Sequence, residues 1–334
     1  MGRRATASMV AEAAGVSRVA VSRAFTPGAS IDAGKRDRIL KIAAELNYTP
    51  DRAARALRTR RSHLIGLVVP DACSPWEAQE IDGLTTVLQE HGFGCVLFKT
   101  RTDFELDDAQ LRNMRSFNLD SAIVFPECVR PKRLAPYLDR AVPVYIDYMT
   151  GPADETLHDR LEVDLRPGLS KAVALVSGYA PSRIAYICGK TESEAEHARR
   201  EVLRELLAER GLPEPRLLAG DFSYARGHSA ALELFRVHGG ADVIFAANDE
   251  SAFGALDAIR YDLGLKVPQD VSVIGFDNIS QAAWGAYRLT TVGIDLPARI
   301  QSLVRMILER LKHPNARPLC DRITTNLTVR DTVG

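Results

Sequence analysis

Met9-Val10-Ala11-Glu12-Ala13-Ala14-Gly15-Val16-Ser17-Arg18-Val19-Ala20-Val21-Ser22-Arg23 reads as two short helices joined by a glycine turn. Val10, Ala11 and Ala14 recur at helical spacing, so a first helix over residues 7–14 has one apolar face. Gly15 ends it by accepting a left-handed backbone. Val16 plugs the turn and Ser17 caps the next helix. That second helix, residues 18–25, turns Val21 and Phe25 inward and leaves Arg18, Val19 and Ser22 facing elsewhere. The pattern is a helix-turn-helix, a module whose second helix enters the DNA major groove. Arginine at the start of such a helix suits guanine or phosphate, since its planar fork fits both. Val19 can touch a thymine methyl but cannot donate a hydrogen bond.

Outward from this stretch, Thr26-Pro27-Gly28 breaks the chain. Asp32 caps a third helix with Ile39, Ile42, Ala43 and Leu46 on one face, and Asn47-Tyr48-Thr49-Pro50 ends it. Lys35, Arg36 and Arg38 read equally as phosphate contacts or as a solvated face. The first 63 residues hold 13 Lys+Arg against 5 Asp+Glu, whereas the whole chain balances at 43 of each. A basic head on an acidic body suits a polyanion gripped by the head alone.

The 334 residues have room for two or three domains, far more than the head needs. An apolar fraction of 46% and a charged fraction of 26% are ordinary for a soluble globular protein. No apolar leader and no run of roughly eighteen apolar residues is present, so a cytoplasmic, nucleoid-associated chain without a membrane partner is expected. Cys73, Cys95, Cys128, Cys188 and Cys320 have no paired spacing and read as reduced thiols. Neither a metal nor a cofactor is expected.

From Leu64 the pattern changes to apolar runs alternating with helical stretches. Runs at 64–69, 94–98, 122–125 and 142–146 form one series, and runs at 183–188, 217–219, 243–246 and 271–276 a second. Helices such as 76–91, 194–210, 225–237 and 250–263 intervene. Strands alternating with helices predict parallel, doubly wound sheets, and two series predict two similar lobes. The fold class expected is a small all-α helix-turn-helix domain followed by an α/β body of two doubly wound parallel-sheet lobes.

The stretches "VSRVAVSRAF", "RDRILKIAAELNYTPDRAARALR" and "IGLVVPD", in this order and spacing, resemble the lactose-repressor family of bacterial transcription regulators. The resemblance implies a helix-turn-helix domain over residues 1–50 and a hinge helix over 51–61. It implies a body like a periplasmic sugar-binding protein, with one lobe from 62–161 and 292–320 and the other from 162–291 and 321–334. The chain would thus cross between lobes near Gly293 and again near Cys320, with a helix over 297–311 added to the first lobe. In the family the hinge forms when two protomers meet on DNA, and a leucine wedges into the minor groove. Leu57 matches that leucine, and Arg55 and Arg58 match its neighbours. An apolar wedge between base steps kinks DNA, and so short a helix is marginal in water without such help. The DNA-binding set is then Ser17, Arg18, Val19, Ser22, Arg23, Arg55, Leu57 and Arg58 on a pseudo-palindromic operator read by a homodimer.

Ligands of such sheets bind beyond the carboxyl ends of the strands. Reading those ends gives Asp71, Ser74, Trp76, Arg101, Asp147, Arg199, Phe222, Asn248 and Asp277. The resemblance implies that Asp147, Arg199, Phe222, Asn248 and Asp277 line the effector cleft, with Trp76 and Arg101 matching by looser alignment. Carboxylates, an asparagine and arginines suit hydroxyl groups, and Trp76 and Phe222 offer flat faces to a sugar ring or to a nucleobase. Bland roles compete: Asp277 could cap its turn, Arg199 could pair with Glu196 or Glu205, and Glu250 could go either way. Asp249 reads as a helix cap. The resemblance implies a non-enzymatic regulator, a repressor released from DNA by a small sugar-like effector. The rivals are a sugar hydrolase using Asp147 and Asp277 and a sugar-binding protein without a DNA role. No nucleophile elbow, metal-spaced histidine cluster or phosphate loop supports the hydrolase.

Overall fold

Thr6 opens the first helix of the computed structural model, its hydroxyl accepting the Met9 amide at 3.4 Å. The structure describes residues 5–26, 28–49, 61–70, 74–100, 106–126, 128–138, 141–148 and 158–334. The chain divides into two units, Met1–His63 and Leu64–Gly334. In the first, α1 (Ala7–Ala14) stops at Gly15, whose φ of 63° is left-handed. The Ser17 hydroxyl caps α2 (Arg18–Ala24) by accepting the Ala20 amide at 3.2 Å, and Asp32 caps α3 (Ala33–Glu45) through the Lys35 amide at 2.9 Å. Val10, Val21 and Ile39 are fully buried where the three helices meet. Phe25 closes this core edge-on to Tyr48, with ring centres 5.7 Å apart. Arg36 belongs to the framework, since it is half-buried and donates to the Ala29 carbonyl at 2.9 Å.

In the second unit the apolar runs become β1 (Leu64–Val69), β2 (Gly94–Lys99), β3 (Ser121–Val124) and β4 (Val144–Tyr148). The later series gives β6 (Ile184–Ile187), β7 (Arg216–Leu218), β8 (Val243–Ala246) and β9 (Ser272–Asp277). Strands β3, β6, β8 and β9 are buried throughout, as expected of parallel strands covered on both faces. The covering helices of the first series are α4 (Pro75–Glu90), α5 (Asp108–Ser116) and the short α6 (Pro131–Leu134). The second has α7 (Arg166–Ser177), α8 (Glu194–Glu209), α9 (Tyr224–Val237) and α10 (Asp249–Asp257). Helix α11 (Leu296–Lys312) returns to pack against α4 and the β3–β5 face.

Three further strands change the expected layout: β5 (Asp159–Asp164), β10 (Thr290–Ile294) and β11 (Cys320–Thr328). The two series join into one eleven-stranded sheet ordered β2-β1-β3-β4-β5-β11-β10-β9-β8-β6-β7. The joint is β11 itself. Cys320–Thr324 run parallel to β5, and Thr325–Thr328 run antiparallel to β10. Lobe boundaries at 161/162 and 291/292 would therefore cut through β5 and β10, and one at 320/321 would split β11. The chain leaves the first half only after Asp164 and returns to it at Asp295, which caps α11 through the Ala298 amide at 3.0 Å. Charged residues interrupt β5, and threonines interrupt β10 and β11, so none of the three forms an apolar run.

A buried ion pair pins this joint. Asp159 at the head of β5 is fully buried and accepts from Arg310 Nε at 2.9 Å, Arg310 Nη2 at 2.5 Å and the Leu319 amide at 2.7 Å. Arg310 also donates to the Ala316 and Arg317 carbonyls, at 2.7 and 2.9 Å. The end of α11, the connection to β11 and the start of β5 thus share one guanidinium.

Candidate functional site

The strands of each series end at a common cleft, as the carboxyl-end rule requires. Within the second unit this cleft holds a cavity of about 250 Å³. Ser74 supplies one wall. It caps α4 in a reciprocal arrangement with Glu77, whose carboxylate accepts the Ser74 amide at 2.5 Å. The first turns of α4 then present Trp76, Glu77 and Glu80 to the cavity. On the opposite side Phe222 and Asn248 follow β7 and β8, Asp277 ends β9, and Arg199 reaches in from α8.

Two of these residues hold unusual backbone. Phe222 has φ 72° and Asp277 φ 116°, conformations that cost about 1–3 kcal/mol each for residues other than glycine. Neighbours hold them there. Asn248 Nδ2 donates to the Phe222 carbonyl at 2.9 Å while its Oδ1 caps α10 by accepting the Ser251 amide at 3.1 Å. Gly189 leaves room for the Phe222 ring, since a Cβ there would lie 2.2 Å from it. The turn after β9 is tied by the buried Asp249, which accepts the Ile279 amide at 2.9 Å and the Thr291 hydroxyl at 2.6 Å. Asn248, not Asp249, is therefore the cap of α10.

Arg199 is buried and donates to the Ala247 carbonyl at 2.7 Å and to Asp277 Oδ1 at 3.3 Å. Its guanidinium lies 4.0 Å from the Phe276 ring centre and 5.7 Å from that of Tyr148. Its ion partner is thus Asp277 on β9 rather than Glu196 or Glu205 on its own helix. Arg299 of α11 makes a second pair, bidentate to Glu80 at 2.5 and 3.1 Å, with its guanidinium 5.7 Å from the Trp76 ring centre. Both members are fully buried.

Burial pushes the Asp277 carboxyl up to about 7. Arg199 opposes the shift, and Glu77 and Glu250 add to it. Burial likewise raises Glu77 and Glu250. An unfolded Asp277 ionises near the ordinary value of 3.8. Between about pH 4 and pH 7 the native chain therefore holds a proton that the unfolded chain has lost. This contribution to stability is fully present below the unfolded value and is lost as pH rises through the folded one. Wild type should lose Tm relative to Asp277→Asn as pH rises from 4 to 7, and the difference should level off above 7. A pH-independent difference would refute the assignment.

Ser74, Trp76, Arg199, Phe222, Asn248 and Asp277, expected at the cleft, all border the cavity, and so does Glu250. Asp147 does not. Strand β4 extends to Tyr148, two residues beyond the apolar run, and places Asp147 and Tyr148 on opposite faces. Asp147 is exposed, and Tyr148 is the cavity residue. Asp71 and Arg101 lie outside the described residues, as do Arg55, Leu57 and Arg58 of the expected hinge. Sequence reasoning missed Glu77, Glu80, Lys190, Asp221 and Arg299, which also line the cavity. Arg299 had a legible signal: it falls within the apolar stripe of α11, beside Ile300, Leu303 and Ile307. On the head, Arg18, Val19 and Arg23 are exposed on α2, with Val19 at 60%. Ser17 is exposed with its hydroxyl engaged as the cap, and Ser22 is half-buried.

Residues 8–51 match the family model "Bacterial regulatory proteins, lacI family", and residues 181–333 match a periplasmic binding protein-like domain. Over 338 aligned positions, covering 98% of each chain, the protein is 30% identical to the HTH-type transcriptional regulator CelR of Thermobifida fusca. The chain belongs to the lacI family of bacterial regulatory proteins. This lacI-family regulator shares its fold with the lac repressor dimer solved on operator with the anti-inducer ONPF. The TM-score is 0.82 at 22% identity, over 99% of both chains. It also matches a CelR–cellobiose complex at TM-score 0.69 and 26% identity, over 98% of this chain and all of that one. The protein is a DNA-binding transcription regulator with a periplasmic-binding-protein-like body. Among its described residues no helix is long and apolar enough to cross a membrane.

Proposed function

We propose that this regulator is a homodimeric repressor that leaves a pseudo-palindromic operator when a small sugar fills the cavity. The observation that carries this is the cavity itself, where two guanidinium–carboxylate pairs and the flat faces of Trp76 and Phe222 converge in a helix-turn-helix protein. Such pairs suit hydroxyl groups, which accept and donate at once. A CelR solved in complex with cellobiose is 26% identical to this chain. Exposed Arg18, Val19 and Arg23 form the base-reading face, with Ser17 and Ser22 beside it. Arg55, Leu57 and Arg58 complete the DNA-contacting set. The effector acts by population shift, since it favours one arrangement of the body over another. The protein works in the cytoplasm, on the nucleoid. A hydrolase reading loses its carboxylate pair, because Asp147 points away from the cavity that Asp277 lines.

The test is fluorescence anisotropy on fragments of the source genome, with and without a panel of sugars. Affinity for the retained fragment should fall at least about a thousandfold between roughly 50 and 200 mM salt, and one sugar should release it. Failure to retain any fragment at low salt would refute the DNA reading. Turnover of a sugar would replace the regulator's effector with a substrate.

A further inference from the structure

The effector reading leaves open whether the sugar is neutral or carries an acidic group, and the charges around the cavity narrow it. Glu77, Glu80, Asp221, Glu250 and Asp277 line it against Lys190, Arg199 and Arg299. Each arginine already faces its own carboxylate, Asp277 or Glu80. Neither guanidinium therefore offers a free positive charge to an anion. What they do offer is hydrogen-bond donors. Arg299 Nη1 and Arg199 Nε are buried and have no hydrogen-bond partner among the described residues. A buried donor without a partner costs about 1–3 kcal/mol, more when charged, and a ligand oxygen removes that cost.

We propose that the Glu80–Arg299 pair is a specificity clamp that selects an uncharged polyhydroxylated ligand over its phosphorylated or acidic counterpart. The proposal rests on the effector reading above. A hydroxyl fits the clamp in both directions, accepting from the guanidinium and donating to the carboxylate. A phosphate dianion or a carboxylate can only accept, so it offers no donor to Glu80 and meets that carboxylate as a like charge. The bidentate contact to Glu80 and the Trp76 ring hold the Arg299 guanidinium in place before the ligand arrives. Glu80 and Arg299 come from α4 and α11, whereas Arg199 and Asp277 come from α8 and β9, so the clamp is built from separate elements.

Isothermal titration of the full chain with matched probes tests this: glucose, glucose 6-phosphate and glucuronate; ribose and ribose 5-phosphate; cellobiose and cellobionate. The bound probe should be a neutral sugar, at least about tenfold tighter than its charged counterpart. Arg299→Lys, which keeps a charge beside Glu80 but lacks the planar fork, should weaken it by about tenfold. Should that variant fold poorly, the double change Glu80→Leu with Arg299→Leu replaces the pair by apolar bulk. It should melt cooperatively and show the same loss. A charged counterpart binding as tightly as its neutral parent, or a folded variant with unchanged affinity, would overturn the clamp and leave the effector reading standing. Silence across the whole panel would overturn both.

Discussion

Replacing Arg199 with alanine should silence the effector response, weakening ligand binding by at least about a hundredfold. The guanidinium is one half of a recognition pair and also the partner that holds Asp277. Hydrogen bonds to charged groups contribute about 1.5–3 kcal/mol each, so losing two reaches that factor. The loss has a second part. Without Arg199, the largest influence opposing the burial that already lifts the Asp277 carboxyl to about 7 is gone, and only the weaker pull of Arg299 remains. Asp277 then holds its proton at neutral pH and no longer accepts as a carboxylate. Arg199→Ala should thus leave a chain that binds operator and ignores the sugar that releases wild type. Trp76, at the cavity wall, reports the binding step by fluorescence, and anisotropy on operator reports the response. A normal response in this variant would remove Arg199 from the site.

Asp159→Ala should destabilise the body by about 3–5 kcal/mol, the cost of leaving a buried arginine without its counter-charge. Total stabilities of about 5–15 kcal/mol make that a large share. Asp159 is fully buried and accepts three hydrogen bonds, two from Arg310 and one from the Leu319 amide. Removing it strands the guanidinium that also gathers the Ala316 and Arg317 carbonyls. Asp159→Asn keeps one acceptor for the Leu319 amide and should cost less. Urea melts followed by circular dichroism would show a lower midpoint in the order wild type, Asn, Ala. Equal midpoints would mean that the pair contributes nothing to the joint.

Local chemistry made much of this legible in the sequence. Ser17, Gly15 and Asp32 act within one turn of themselves, so their caps follow from residue type and position. The buried strands β1, β6 and β8 are continuous apolar runs and could be marked directly. Strand β11 could not, because Cys-Asp-Arg-Ile-Thr-Thr-Asn-Leu-Thr is mostly polar with no period-2 apolar pattern and its two halves take different partners. Asp147 shows how sharp the limit is. Extending β4 by two residues exchanged the inward side chain from Asp147 to Tyr148. Glu80 and Arg299 stand 219 residues apart, and no periodicity links them. Their contact exists only because α11 returns to pack on α4.

The double allegiance of β11 constrains how the body can move. The partner of this ribbon changes between Thr324 and Thr325, with no loop between them to absorb slack. The Thr325 hydroxyl is anchored at that point, donating to the Leu165 carbonyl at 2.9 Å and accepting the Gly168 amide at 3.1 Å. A swing of one half against the other would twist this short length of backbone together with the two other crossings, at residues 164–166 and 294–296.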